Sequence, residues 1–429
     1  MFIKLAVRNI FRQKRRTLLS IAGVAAATVT LVWTHGLLDA FMLAMVQGAT
    51  AVDVGQLQVR SQAYDEKTNI FNHFELSSEL VEKISAIDGV AGVSPRVHLY
   101  GLVGTERRSQ VTRIIGVDPE RERSVSRVAS AIELGDWLLP RAPGSEPSAM
   151  GSVQVVLGRG LAQQLGVGIG DELVLFVQGV DGSLGNELLK VVGIARTGNT
   201  SIDRGAVFMD LAAAQSVAAL EGRAHEMTLH VPRLDDVDEV EDQVAGLLAS
   251  SQPNNGKGGG PLLVRSWKQL LPQLAQMIEA SKQSMWLIYL LVYVIAGIGI
   301  LNTQRMSALE RRREFGILLA IGVPARQLGA MLMSETLLLT MMGPVVGATL
   351  GLLSNYLFSI HGFNMAMFSS SGSFSYLGVA FEERLFFEAS LSQVWGPMVA
   401  IAVVGVLCGV VPALSAMRLD AVRSIAGRT

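Results

Sequence analysis

Three stretches of the sequence carry residue types that hold metals or phosphate in other proteins. The first, His225–His230, reads HEMTLH and is one residue longer than HExxH, in which two histidines bind zinc from one helix face. Five helical steps of about 100° each would set these imidazoles roughly 140° apart. The segment also alternates as a strand does. We therefore expect no metal site here.

Phosphate binding is the second chemistry that the sequence suggests. Residues 254–260 read NNGKGGG, but no strand precedes the Gly-Lys pair and no hydroxyl residue follows it. Residues 166–171, GVGIGD, precede a strand instead of joining a strand to a helix, which favours a tight turn. The sequence contains neither a GxxxxGKS/T motif nor a GxSxG elbow. We expect no catalytic residue, no cofactor bound by this chain and no enzyme activity.

A fourth stretch is rich in charge. Leu309–Gly322 reads LERRREFGILLAIG and places charged side chains on one side and Phe315, Ile317, Leu318 and Ile321 on the other. The residue types alone allow two interpretations. The segment is either a basic loop beside a membrane or a docking helix for a soluble partner.

Four apolar runs determine the architecture. Half of the 429 residues are hydrophobic, 17% are charged and the mean hydropathy is +0.39, which indicates a chain partly in lipid and partly in water. The first run begins at Leu18, the other three lie at 283–304, 328–358 and 394–417, and about 20 apolar residues are enough to cross a bilayer.

The net charge of the chain is −1, which excludes an overall basic surface potential that would attract nucleic acid. The single cysteine, Cys408, excludes a disulfide framework.

Basic residues flank the runs unevenly. Lysine and arginine occupy six of the first seventeen positions, and arginines recur at 305–326 and after Met417. The 359–393 loop has one arginine and three glutamates. Because positive residues favour the cytoplasmic side, we expect both termini and the 305–327 loop in the cytoplasm.

The region between the first two runs combines short alternating strands with amphipathic helices. The predicted fold class is therefore a membrane protein with four transmembrane α-helices and a large α+β extracytoplasmic, periplasmic domain between helices 1 and 2. The predicted domains are an amphipathic helix at 1–17, TM1 and stalk at 18–45, the periplasmic domain at 46–266 with a β-rich insertion at about 120–225, stalk and TM2 at 267–304, a coupling loop at 305–327, TM3 at 328–358, a periplasmic loop at 359–393, TM4 at 394–417 and a cytoplasmic tail at 418–429.

Several motifs in this order resemble the MacB/FtsX-type ABC transporter permeases, and in particular the lipoprotein-releasing LolC and LolE branch. ERRREFGILLAIG, which ends at Gly322, is similar to the ERxREIGxLRAxG signature that precedes the third span. The N-terminal LAVRNIFRQKRRTLLSIAGVA resembles the family's opening, and RLDAVRSIAG resembles its closing motif, with Ala421 where proline is common. Residues 157–175 and 191–215 also resemble this branch.

The resemblance implies a pair of permeases, identical or paralogous, served by a separate cytoplasmic ABC ATPase dimer that binds the ATP and Mg. It implies mechanotransmission, in which ATP-driven closure on one side drives the external domains on the other. It further implies a bacterial inner-membrane location, a lipoprotein or other amphipathic substrate and a periplasmic acceptor.

The candidate site residues form four sets. The resemblance places a coupling helix at about Ser307–Phe315, and the residues expected to contact the ATPase are Leu309, Glu310, Arg311, Arg312, Arg313, Glu314, Phe315 and Gly316. Glu335 is interpreted either as an acid at the membrane interface or as a hydrogen-bond partner of the coupling segment. The expected substrate-lining residues are Trp33, Leu37, Phe41, Met42, Met45, Met285 and Ile288, although plain helix packing explains them too. Helix packing is expected at Gly343, Gly347, Gly351, Gly405 and Gly409.

Three functions follow as hypotheses. The first is release of lipid-anchored proteins from the outer leaflet, and the second is MacB-like export of peptides or small hydrophobic molecules. The third is an FtsX-like regulator of a periplasmic hydrolase. The region between the first two spans is larger than such a regulator needs, which disfavours the third.

Overall fold

The computed structural model describes residues 14–140, 152–251, 260–365, 375–376, 379–380, 384–388 and 390–419. Most of the predicted amphipathic helix at 1–17 and nearly all of the predicted tail at 418–429 lie outside these residues. The described chain divides into two compact units. The helical unit comprises the described residues within 1–43, 278–370 and 383–429, and the sheet unit comprises those within 44–277 and 371–382.

The helices are numbered in chain order. They are α1 (Lys14–Ala49), α2 (Gln62–Glu66), α3 (Ser78–Ser85), α4 (Pro119–Val125), α5 (Arg159–Leu165), α6 (Thr200–Gly205), α7 (Leu211–Val217), α8 (Val237–Ser251), α9 (Trp267–Leu270), α10 (Pro272–Glu310), α11 (Arg312–Ala320), α12 (Ala325–His361) and α13 (Ser392–Met417). A π-helical segment, Thr50–Val54, follows α1, and two 3-10 turns lie at Ala129–Ala131 and Leu234–Asp236.

The strands are β1 (Leu57–Ser61), β2 (Phe74–Glu75), β3 (Gly92–Gly104), β4 (Ser109–Val117), β5 (Ile132–Gly135), β6 (Val153–Gly158), β7 (Glu172–Gln178), β8 (Leu184–Ala195), β9 (Ala206–Asp210), β10 (Arg223–Ala224), β11 (Glu226–His230), β12 (Leu262–Ser266), β13 (Phe363–Asn364), β14 (Ser375–Tyr376), β15 (Val379–Ala380) and β16 (Arg384–Leu385).

Four helices of the described chain are long and apolar enough to span a membrane: α1, α10, α12 and α13. They coincide with the four apolar runs, and the main part of the sheet unit, residues 44–277, lies in sequence between the first and the second. The predicted fold class is therefore confirmed. The spans are helical because a lipid-exposed backbone must form its hydrogen bonds within its own segment.

The second span differs from the sequence prediction at its start. The pattern from Trp267 to Lys282 predicts one helix that runs into TM2, but α9 ends at Leu270 and α10 begins at Pro272. Leu271 between them has ψ near 62°, outside the helical region. Proline disfavours helical geometry at the residue before it, which explains this break.

Glycines set the spacing of the helical unit. A side chain added at Gly343, Gly347 or Gly351 of α12 would lie within 3 Å of α1, against Val24, Ala25 and Val32 respectively. On α13, a Cβ at Gly409 would lie 2.9 Å from Thr336 of α12. Gly405 faces Thr340 in the same way. Small residues allow backbones this close, and van der Waals packing then holds the helices together.

The sheet unit contains a closed ring of strands. The pairing order is β12-β1-β11-β3-β4-β9-β6-β8-β5, and β7 pairs with both β3 and β8. Six strands, β3, β4, β9, β6, β8 and β7, therefore close on themselves as a small barrel. In β7 the side chains alternate, so that Leu173, Leu175 and Val177 are buried between exposed neighbours. Four of the six barrel strands lie within the predicted β-rich insertion at about 120–225, whereas β3 and β4 precede it. The interior of the barrel is a continuous apolar core.

We expect Gly347→Ala to lower the free energy of unfolding by about 1–3 kcal/mol, because its Cβ would lie 2.5 Å from the Ala25 backbone oxygen. Thermal unfolding of the full chain in detergent measures this. Gly396→Ala on α13 is the matched control, because the space around it is open among the described residues. Equal melting temperatures for the two variants would show that the α1–α12 contact is not tightly packed.

Candidate coupling segment and membrane cavity

The segment after the second span is not the single helix that the sequence suggested. The predicted coupling helix, about Ser307–Phe315, is interrupted because α10 ends at Glu310 and α11 begins at Arg312. Arg311 lies between them with φ −98° and ψ 12°. The chain then leaves α11 through Gly322, whose φ of +95° suits a residue without a Cβ. Pro324 precedes α12 and fixes where that helix begins.

The break divides the predicted coupling residues into an inner and an outer group. Phe315 is fully buried, in a cluster with Leu328, Leu332 and residues of α13, and Gly316 is buried beside it. By contrast, Leu309, Ile317 and Ile321 expose about half or more of their surface. Glu310, Arg313 and Glu314 are also exposed. The outer group thus combines apolar and charged side chains on one exposed strip, while Phe315 ties the strip to the spans.

Arg311 belongs to the inner group. Its Nη1 donates to Glu335 Oε2 at 2.9 Å, its Nε donates to Glu314 Oε2 at 3.2 Å, and its guanidinium lies 5.2 Å from the centre of the Phe315 ring. The Arg311 and Glu335 side chains are each only 11% exposed. The structure agrees with the second interpretation of Glu335, a hydrogen bond to the coupling segment. The bond pairs a carboxylate that would be costly to leave alone within a span.

A cavity of about 510 Å³ lies between α1, α10 and α12. Its walls are mainly apolar, and small or hydroxyl residues such as Gly23, Thr30 and Gly299 widen it. Gln304 lines it and is itself 3% exposed. An acyl chain or another apolar group fits a space of this size and character.

The predicted substrate-lining residues lie elsewhere. Trp33 packs against Phe363 and Phe387 with ring centroids 6.0 and 6.2 Å away, and Met42, Met45 and Met285 are buried. Leu37 and Phe41 are partly buried, and Ile288 is 47% exposed. None of the seven lines the cavity. Their role in substrate binding stays a prediction.

Within the sheet unit, an ionic network holds the segment that follows α1. The Arg113 guanidinium contacts the Asp53 carboxylate at 2.8 Å, and Arg96 donates to the Asp53 backbone oxygen. Arg96 is fully buried and also binds Glu122, with Nε 3.2 Å from Oε2. The sequence gives no signal of this network, because Arg96 is 43 residues from Asp53 and 26 from Glu122.

The residues of the HEMTLH stretch join the same network. Burial by itself raises the pKa of Glu226, but His98 at 3.0 Å and the nearby arginines outweigh it and hold the pKa below its usual value. His225 is stacked on the Tyr64 ring, and its Nδ1 accepts from the His98 backbone N–H. Its Nε2 donates to the Ile70 carbonyl oxygen. Both ring nitrogens are thus used by a neutral imidazole, and burial lowers the pKa of His225 to about 4.

We expect the chain to lose stability as the pH falls from about 6.5 toward 4. The unfolded chain protonates His225 near 6.5 and the folded chain only near 4, so this stabilising contribution is full above 6.5 and is lost on acidification. Its size is on the order of 3 kcal/mol. Thermal melts across this pH range measure it. His225→Gln should flatten the slope and the exposed His361→Gln should not, whereas an unchanged slope in His225→Gln would contradict this assignment.

Comparison with known proteins identifies the family. Residues 17–247 match the MacB-like periplasmic core domain, and residues 286–421 match the FtsX-like permease C-terminal region. The lipoprotein-releasing system transmembrane protein LolC of Xylella fastidiosa is 24% identical over 60% of this chain. The chain spans 59% of the length of that relative. LolC of Neisseria meningitidis is 21% identical over 79% of this chain and 76% of its own length.

One further curated relative and one solved structure are also similar to this chain. A probable syringafactin export ATP-binding/permease protein of Pseudomonas syringae is 28% identical over 36% of this chain and 21% of its own length. The periplasmic region of MacB from Actinobacillus actinomycetemcomitans covers 54% of this chain and 94% of its own, with 12% identity and a TM-score of 0.35. Since the match to the MacB-like core domain alone spans more than half of the chain, this protein belongs to the MacB/FtsX/LolC family of ABC transporter permeases.

Proposed function

We propose that this permease releases lipoproteins from the outer leaflet of a bacterial inner membrane, driven by a separate cytoplasmic ATPase dimer. The observation that carries the coupling part is the exposed strip of α10 and α11, which Phe315 and the Arg311–Glu335 pair tie to the spans. The lack of a phosphate-binding motif in the sequence supports a partner that binds ATP and Mg.

The proposed transport step is mechanical. Closure of the ATPase dimer displaces the strip, and the buried Phe315 transmits the displacement to α12 and α13, whose residues surround it. The strip carries both signs of charge, Glu310, Arg313 and Glu314, and its exposed leucine and isoleucines supply apolar contact area. Interfaces commonly combine such an apolar centre with a charged rim.

The proposed orientation follows from charge. Arginines concentrate in the 305–327 loop and near both termini, so these segments lie in the cytoplasm and the sheet unit lies in the periplasm. A second permease chain, identical or paralogous, completes the transporter. The LolC relatives favour a lipoprotein substrate, and an acyl chain suits the 510 Å³ cavity.

MacB-like export of a peptide or a hydrophobic small molecule is the second candidate. The match to the MacB-like core domain and the similarity to a syringafactin exporter favour it. The two functions differ in their product. Lipoprotein release transfers a triacylated protein to a soluble acceptor, whereas export delivers the substrate to an outer channel through an adaptor.

Reconstitution tests the main proposal. We expect the full chain, its ATPase and a second permease chain in proteoliposomes to release a triacylated lipoprotein to a periplasmic acceptor when ATP is added. Release is measured as lipoprotein in the supernatant, with a non-hydrolysable ATP analogue as control. ATP hydrolysis without release would overturn lipoprotein release and leave MacB-like export, which copurification of a periplasmic adaptor would then support.

Glu335→Gln tests the coupling role. The substitution replaces the carboxylate with a neutral amide and so weakens the hydrogen bond from Arg311, which with a charged acceptor contributes about 1.5–3 kcal/mol. We therefore expect less ATP-stimulated transport while the ATPase still binds. Arg313→Glu is the matched control on the exposed strip, and we expect it to weaken ATPase binding itself. If Glu335→Gln left ATP-stimulated transport unchanged, Glu335 would have no coupling role.

A further inference from the structure

Four polar side chains meet where three spans of the helical unit converge, and we call them the polar cluster: His35 and Asp39 of α1, Tyr289 of α10 and Gln393 of α13. His35 Nδ1 lies 2.6 Å from the Tyr289 hydroxyl oxygen. His35 Nε2 lies 3.4 Å from Asp39 Oδ2, and Gln393 Nε2 donates to the same carboxylate oxygen at 3.0 Å. None of the four residues belongs to the coupling segment or lines the cavity.

The polar cluster contains hydrogen-bond acceptors that its own donors do not fully use. The His35 ring bridges the Tyr289 hydroxyl at Nδ1 and the Asp39 carboxylate at Nε2, and a ring nitrogen that faces a carboxylate carries a proton. The Gln393 amide cannot be reversed, because its oxygen would then face the Asp39 carboxylate. The Asp39 carboxylate thus accepts from a histidine and an amide, and no lysine or arginine pairs with it among the described residues.

Gln393 provides a second, independent observation. The residue is only 6% exposed, and its Oε1 is buried with no hydrogen-bond partner among the described residues. Its Nε2 is bonded to Asp39, so the unpaired oxygen of the same amide lies beside the carboxylate. Buried acceptors in folded proteins are nearly always paired, and an unpaired one indicates a missing donor.

The cluster is open on one side. The side chains of His35 and Asp39 are 38% and 41% exposed. On α10, the same helix as Tyr289, Trp286, Leu287 and Ile288 expose roughly half of their surface. A ligand that reaches Asp39 thus has an apolar helix surface available for a hydrocarbon chain.

We propose that the polar cluster binds the primary ammonium group of an amphiphile, with Asp39 as counter-ion and Gln393 Oε1 as a hydrogen-bond acceptor. A primary ammonium has three N–H donors and a full positive charge, which matches two adjacent acceptors of which one is charged. A trimethylammonium group has no N–H and leaves Gln393 unpaired. A low-dielectric surrounding strengthens the pairing with the carboxylate.

The ammonium can come from two sources, a membrane lipid with an ethanolamine head group or an amine-bearing amphiphile that the permease transports. The chemistry of the site is the same for both. The proposal goes beyond lipoprotein release and does not depend on it, since binding needs neither ATP nor the ATPase.

Binding to the purified full chain in detergent tests the first source. The probes are phosphatidylethanolamine and phosphatidylcholine with identical acyl chains, and native mass spectrometry measures the bound fraction of each. We expect the wild-type chain to prefer phosphatidylethanolamine about tenfold, and Asp39→Asn to abolish this preference while phosphatidylcholine binding persists. Gln393→Met should reduce the preference by less. Thr349→Val, on an exposed face of α12, is the control and should keep it.

Dodecylamine and dodecanol test the second source in the same assay. The wild-type chain could prefer dodecylamine to dodecanol, lose that preference in Asp39→Asn, and bind the two phospholipids equally. This result would assign the site to an amine-bearing amphiphile and not to a membrane lipid. A wild-type chain that prefers neither phosphatidylethanolamine nor dodecylamine overturns the proposal, whatever the variants do. A preference that survives Asp39→Asn at full strength overturns it as well, because the ammonium is then bound elsewhere.

Discussion

The structure depends on one constraint, which is that polar and charged groups removed from water must find partners inside the protein. In the spans, the backbone meets this constraint by forming helices. The Glu335 carboxylate meets it by pairing with Arg311, and that pair places the coupling segment against α12. In the sheet unit, the same constraint gathers Arg96, Glu122 and Glu226 into one buried network.

Close packing of the helices also stabilises the helical unit. In lipid, apolar side chains gain little by leaving the hydrocarbon, so helices associate through close contact and through polar bonds. The α12 glycines provide contact with α1, and the Asn355 amide adds a bond to the Val32 carbonyl oxygen at 3.2 Å. The helical unit is thus held by close packing and by a few polar bonds.

Arg311 lies at the break between α10 and α11 and pairs with Glu335 of α12. Arg311 is 11% exposed and bound to Glu335, whereas Arg313, two residues later, is exposed. Members of one run of three arginines therefore lie in different surroundings.

The sequence alone determined the four spans, the α+β class of the inserted domain and the family, because these depend on local hydropathy, period and motif. The tertiary structure alone decided which arginine is buried, where α10 begins, that six strands close into a barrel, and which residues line the cavity. It also brought together Asp39 and Gln393, which are 354 residues apart, with His35 and Tyr289 beside them. Such contacts join residues far apart in sequence, and neither period nor composition carries information about them, because they arise only when the helices and strands pack.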